Sequence, residues 1–548
     1  MGVLRVRPAR LLWPLVPGLA ALAWSRRFVM DDAFISFRYA KHLAAGQGLV
    51  WNPGERVEGY TNFLWTLLMA LPHRLRLDPV VFAQVAGVAF YALTLLLAWR
   101  LARRILGDEG WSLAAVLLLG TSASFLAFAT GGLETMAQAC LLAGLALLTL
   151  RLGEGGRPPA RACLGWSALA AAAMLTRPDS LLPAAVLGAW LAARPPRAGG
   201  GAAGAAPGGE GADVAAFRLH GPSAAALAAP VLTVAAAWVA WKLAYYGDAL
   251  PGSAVVREPS ALSLLRGLHY VGLYLAVSGL GIVGLLFLRA WRRAARPAGA
   301  GALALACLLW SAYLALAGGD FMEFRLFVPL LPAAHVLAAW TLRETARRPW
   351  LRALMAAALL AASPAQMLGY RGVRGVESVA QLAGHLDDGG GAWIAAGRAL
   401  GERFRGAEPP LRIAVLPAGA VAYFADLPAV DMLGVNDREI ARGGRRAGSR
   451  AGHRRLADPD ALGARGVHLV VGKPLVRPAG SPPPGSETWI GFGLLAGDLT
   501  ELPAGARFVD IPLAGGRILT ALALAPHPAL AKLPGAPVPR DGPDPGGV

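Results

Sequence analysis

The chain has 548 residues, 55% hydrophobic and only 16% charged, with 52 Lys and Arg against 34 Asp and Glu. Soluble domains carry about 25% charged residues, so the composition excludes an ordinary soluble protein and points to a polytopic membrane protein. The net charge of +18 sits in Arg clusters at the ends of apolar runs, which marks membrane topology rather than a nucleic-acid surface.

In chain order, apolar segments predict about eleven transmembrane helices, near 11–28, 79–101, 111–129, 136–151, 162–175, 181–193, 224–244, 269–290, 301–317, 326–341 and 350–368, since a span needs roughly 17–25 residues. Residues 4–23 also resemble a secretory signal, with Arg5, Arg7 and Arg10 before an apolar stretch; they are read as a retained first span. The 162–175 and 181–193 segments are short, and either tilt or form a broken pair about Pro178. A further apolar stretch from Phe63 to Leu71 reads as re-entrant or interfacial, because counting it as a span would put the later Arg clusters outside. Residues 194–222 are a Gly, Ala and Pro-rich linker. The three cysteines, Cys140, Cys163 and Cys307, lie in apolar runs and give no disulfide framework.

Residues 1–368 thus form an all-α membrane domain, with the N-terminus cytoplasmic. Residues 369–531 form a C-terminal α/β domain on the other side, and 532–548 a disordered tail. In the C-terminal part, 393–404 reads as a helix, 411–433 as strand, short helix and strand, and 466–476 as a buried strand. His453 is a weak site candidate in a basic stretch.

With the start inside and spans alternating, the loops richest in carboxylates and glycines all fall on one face. They are "MDDAFISFRYAKHL…NPGERVEGYTNFLW" (30–65), "TGGLET" (130–135), "TRPDS" (176–180), "YYGDALPGSA" (245–254) and "GGDFMEFR" (318–325). Ionisable residues at membrane depth usually mark a pathway or site. The first outer loop, 31–75, holds adjacent Asp31 and Asp32; they either cap a helix or supply a catalytic carboxylate with a supporting neighbour. The helix that follows carries Arg38, Lys41 and His42 on one face, a basic ridge suited to lipid or substrate phosphate. Glu134 either caps a helix or faces a site. Arg177 either satisfies a broken helix end or clamps a phosphate. Asp320 and Arg325 either pair with each other or serve a ligand, and the loop around Asp248 is either a tight turn or part of the site.

These motifs, in this order, resemble the C-type (GT-C) membrane glycosyltransferases, most closely the actinobacterial terminal arabinofuranosyltransferases. The match continues through "GGDFMEFRLFVPLLP" and "DMLGVNDREIARG…GHRRLADPD" (431–460). The resemblance implies a membrane glycosyltransferase of the bacterial inner membrane, a polyprenyl-phosphate sugar donor and a cell-envelope glycan or glycolipid acceptor. It further implies an extracytoplasmic C-terminal domain that engages carbohydrate, with Asp31 as base and Asp32 in support. Arg38, Lys41, Arg56, Arg177 and Arg325 are then candidates for the donor phosphate. Glu58, Tyr60, Asn62, Glu134, Asp248 and Asp320 are candidates for sugar hydroxyls, and a divalent metal ion on Asp32 or Asp320 is left open. Two other readings stand beside it: a transporter or flippase for a lipid-linked saccharide, and a non-catalytic glycan-binding scaffold.

Overall fold

The computed structural model describes residues 8–154, 158–194, 221–256, 261–373, 375–447, 452, 454–485, 491–494, 498 and 501–538. His453, most of the 194–222 linker and residues 539–548 lie outside the described residues.

Helices fill the chain to Gly369, and local chemistry sets their ends. Pro79–Leu106 starts on Asp78, whose carboxylate accepts from the Val80 and Val81 amides, and stops at Gly107 in the left-handed region. At about 1.5 Å per residue, its 28 residues exceed the roughly 30 Å hydrocarbon layer. Among the described residues, five helices are long and apolar enough to cross a membrane: Pro79–Leu106, Thr135–Glu154, Ala224–Tyr246, Arg325–Thr345 and Pro349–Gly369. Ala261–Val277 and Leu280–Arg293, bent by 83°, make a sixth if counted as one span.

Helices therefore occupy the predicted positions, but length and composition qualify at most six of the expected eleven. The predicted 111–129 segment is interrupted at Ser122. The 162–175 and 181–193 segments form a broken pair: Arg177, extended because Pro178 follows it, ends Ala160–Thr176, and Leu181–Ala192 resumes after a 3-10 turn.

Beyond Gly369 lies a five-stranded mixed sheet. Its strands are β1 (Ile413–Val415), β2 (Ala429–Asp431), β5 (Leu469–Pro478), β6 (Arg507–Leu513) and β7 (Arg517–Ala523), while β3 (Arg445–Arg446) and β4 (Arg455–Leu456) form a small ribbon. The order is β2-β1-β5-β7-β6; β1 runs parallel to β2 and β5, and β7 antiparallel to β5 and β6. Strands β1 and β2 are wholly buried, as parallel strands covered on both faces are. The β6–β7 hairpin had no counterpart in the sequence reading. The expected disorder after residue 531 also fails at its start: the Phe508 amide donates to Ala536 O (2.9 Å), the Ala536 amide to Phe508 O (3.2 Å), and Leu533 and Val538 are buried.

The two halves share one interior. A continuous buried apolar cluster runs from Leu12 in the first helix to Leu533. The helix Asp31–Ala44 is gripped between Phe63–Arg74 and the C-terminal helix Ala420–Ala425, so the expected interfacial ridge faces protein. Arg38 is 2% exposed and His42 5%, and Lys41 pairs with Asp426 at 2.6 Å.

Candidate active site

The outer loops and the C-terminal half enclose a cavity of about 770 Å³. Asp31 and Asp32 open the helix Asp31–Ala44, where Asp is favoured by the positive end of the helix dipole. Asp31 is also tied to the other half of the chain. Its Oδ1 accepts the Ala420 amide at 2.8 Å and its Oδ2 the Gly419 amide at 3.1 Å. Only glycine permits this approach, because a Cβ at position 419 would lie 2.0 Å from the Asp31 carbonyl oxygen. Burial drives the Asp31 carboxyl up to about 7; the amide of Ala420 opposes the rise and the neighbouring charge of Asp32 adds to it. Asp431, at the end of β2, is likewise pushed up to about 6 by burial, against hydrogen bonds from Asn436 and Leu433.

Three buried or near-buried cations from the membrane half line the same cavity: Arg177, Lys242 and Arg325. Each is held by a carboxylate. Arg177 meets Glu134 at 2.9 Å and Asp179 at 2.8 Å; Arg325 meets Asp320 at 3.0 Å; Lys242 meets Glu58 at 2.6 Å. Burial raises the Glu58 carboxyl to about 7 despite the Lys242 ammonium. Asn62 links the acids to the first loop, donating to Glu134 Oε2 at 2.7 Å and accepting from Ser36 at 3.1 Å. Clamped this way, the cations hold positive charge at low solvent exposure without the full penalty of isolated burial.

Seven of the sequence candidates line the cavity together: Asp31, Asp32, Tyr60, Asn62, Glu134, Arg177 and Arg325. Glu58 and Asp320 stand one layer behind, orienting Lys242 and Arg325. Arg38 and Lys41 are elsewhere. The Arg38 guanidinium donates to the carbonyls of Trp51 (2.7 Å), Leu427 (2.8 Å) and Ala422 and to Asn52, and cannot also face a phosphate in the cavity. Arg56 lies 4.8 Å over the Tyr245 ring, and Asp248 pairs with Arg442, both outside the cavity lining.

Sequence reasoning passed over Asp179, Lys242, Glu377, His385, Trp393, Asp431 and Lys473, all in the lining. Lys242 had a signal: it is the lone charge in the apolar run 224–244. Of the C-terminal residues only Asp431 had one, as the first residue of the motif "DMLGVNDREIARG"; the others are brought to the loops by the fold alone. Among the described residues, no group of three or more His, Cys, Asp or Glu could hold a metal ion. Asp320 spends its carboxylate on Arg325 and on the Phe321 amide, so a metal on Asp32 or Asp320 lacks a ligand set there.

A family model described as a domain of unknown function (DUF8728) matches residues 381–499. Two curated proteins named terminal beta-(1->2)-arabinofuranosyltransferase are similar to the chain. The one from Mycobacterium tuberculosis is 32% identical over 193 residues, 31% of this chain and 30% of the relative. The one from Corynebacterium glutamicum is 27% identical over 370 residues, 57% of this chain and 48% of the relative. The matched stretch is thus less than half the length of either. Among solved structures, ArnT from Cupriavidus metallidurans bound to undecaprenyl phosphate superposes with a TM-score of 0.54 at 14% identity, covering 94% of this chain and 97% of ArnT. The resemblance read from the loop motifs holds: the chain is similar in sequence to terminal arabinofuranosyltransferases and has the GT-C fold that it shares with ArnT.

Proposed function

We propose that the chain is an integral-membrane glycosyltransferase of the bacterial inner membrane. It moves a sugar, arabinofuranose by analogy with its named relatives, from a polyprenyl-phosphate donor to a hydroxyl of a cell-envelope glycan or glycolipid on the extracytoplasmic side. One observation carries the reading: a single cavity holds an aspartate pair, one carboxyl near neutrality, together with three clamped cations. The ligand in the ArnT structure supports a lipid-phosphate donor, and the Arg clusters support the sidedness.

In this mechanism Asp31 takes the proton of the acceptor hydroxyl as that oxygen attacks the anomeric carbon. The bond from that carbon to the donor phosphate breaks, and the polyprenyl phosphate leaves as a monoester anion. Arg177, Arg325 and Lys242 stabilise the charge gathering on the phosphate. A carboxyl near neutrality is well matched to this task, because a base is most effective when its pKa lies near the working pH. Burial keeps the Asp31 carboxyl high, and the like charge of Asp32 adds to the rise.

The test is transfer by membranes supplied with several polyprenyl-phosphate sugars. Asp31→Asn is expected to cut the rate about 100- to 10,000-fold, the range for loss of a general base, at unchanged membrane abundance. Unchanged transfer by D31N would remove Asp31 as base. Movement of a lipid-linked saccharide across the bilayer without transfer would favour a flippase.

A further inference from the structure

We propose that the C-terminal half carries the acceptor subsite of this cavity, a platform of His385, Trp393 and Glu377 that receives a neutral sugar ring. The proposal rests on the transferase reading and gives it a second binding surface. The cavity has two chemically different walls. The membrane half supplies Arg177, Lys242 and Arg325, interleaved with Asp31, Asp32, Glu134 and Asp179, and so holds the densely charged wall. The C-terminal half supplies an aromatic ring, an imidazole and two carboxylates, with the exposed Lys473 as the one lysine or arginine among its described lining residues. A polyhydroxylated, uncharged ligand suits that second wall, whose described lining residues include an aromatic ring and no arginine.

The platform is built rather than incidental. The His385 and Trp393 rings are stacked, centroids 4.6 Å apart and planes 2° from parallel. Their backbones are joined, the Trp393 amide donating to the His385 carbonyl at 3.2 Å. Glu377 fixes the imidazole edge, with Oε2 3.0 Å from His385 Nε2. Glu377 is itself anchored to the outer loop, its amide donating to Phe321 O at 2.7 Å. Trp393 is only 6% exposed and the His385 side chain 24%, so the stack has a buried layer under a reachable one. Flat rings present apolar faces to the C–H faces of a sugar, while imidazole and carboxylate edges donate to and accept from its hydroxyls. A few placed polar groups among apolar ones is the usual make-up of a small-ligand pocket. Asp31 stands at the seam between the walls, bonded to Gly419 and Ala420 and next to the lining residue Ala418. A hydroxyl held on one wall and an anomeric carbon held on the other would meet there.

The experiment uses the full chain in nanodiscs, with short oligo-arabinofuranosides and oligomannosides as probes. Binding is read by saturation-transfer NMR and titration, and transfer by steady-state kinetics. His385→Ala and Glu377→Gln are expected to weaken oligosaccharide binding at least tenfold and to raise the acceptor KM as much. Donor KM and kcat should stay within twofold and the melting temperature should be unchanged. D31N should bind the oligosaccharide as the wild type does. The subsite is overturned if the wild type binds no probe, if H385A and E377Q leave Kd and acceptor KM alone, or if they move the donor KM instead. Oligosaccharide binding that H385A abolishes, in a protein that transfers from no donor, would keep the platform and remove the transferase reading. Robust transfer with an unaltered acceptor KM in H385A would do the reverse.

Discussion

Asp31 shows how far a side chain's chemistry can depend on residues remote in the chain. Two adjacent carboxylates at the end of an apolar run were legible as a candidate site because such a pair needs a compensating cause. The amides of Gly419 and Ala420 were not legible, since nothing local announces a partner nearly four hundred residues away. The consequence for pH has a definite sign. The folded-state carboxyl is raised to about 7 from an ordinary 3.8, so folding favours its protonated form. Its contribution to stability is fully present below the ordinary value and is lost as pH rises through about 7. Activity runs the other way, because the base works deprotonated: kcat/KM should climb through an acid limb near pH 7. Asp32→Asn removes the like charge and should retain transfer while moving that limb to lower pH. An abolished rate in D32N, with D31N active, would exchange their roles.

The helix Asp31–Ala44 was predicted in place, but its basic face was assigned to phosphate. Amphipathic spacing tells which residues share a face; it does not tell what covers that face. Here the cover is Ala420–Ala425, whose far end Arg38 grips through the Ala422 and Leu427 carbonyls. Arg38→Met would take the charged donor from those carbonyls, Ala422 O keeping only the Asp426 amide, and charged hydrogen bonds of this kind are worth roughly 1.5–3 kcal/mol each. The variant should lose about 3 kcal/mol, read as a lower melting temperature with a smaller acceptor-site population. A phosphate-binding Arg38 would instead raise donor KM at unchanged stability. The near end of the same short helix gives a second test. Gly419→Ala would push a methyl onto the Asp31 main chain, and displacement of about 1 Å at a reacting group can cost roughly 100-fold in rate. A similar loss in G419A at nearly normal abundance is the expected result, and full activity would count against the clamp. Strands β1 and β5 were legible as short apolar runs. The β6–β7 hairpin was not, because "RFVDIPLAGGRILTALA" (507–523) mixes Arg, Asp and Pro into its alternation.

At the scale of the whole molecule, composition pointed to the membrane and the Arg clusters to an orientation in it, while length and composition of the described helices qualify at most six of the eleven expected spans. A bend such as that between Val277 and Leu280 depends on Ser278 and Gly279, and hydropathy averages across it. Sidedness remains the broadest prediction. Reporter fusions after Glu134, Asp248 and Lys473 should all read as extracytoplasmic, and a fusion within 195–220 as cytoplasmic. A split among the first three would dismantle the cavity's topology.

The halves also meet through main chain. Gly252, whose amide is held by Glu58 O at 2.8 Å within the membrane half, packs on the other half so closely that a Cβ there would sit 2.2 Å from Val435 O. Together with the two amides on Asp31, this has a consequence for biosynthesis. The ribosome delivers the membrane helices first, and a nascent chain whose last 150 or so residues are still missing has the cations of the cavity but an untuned aspartate and no second wall. Under the proposed chemistry such an unfinished molecule is inert towards its donor, so activation waits on completion of the C-terminal half and no lipid-linked sugar is squandered on water.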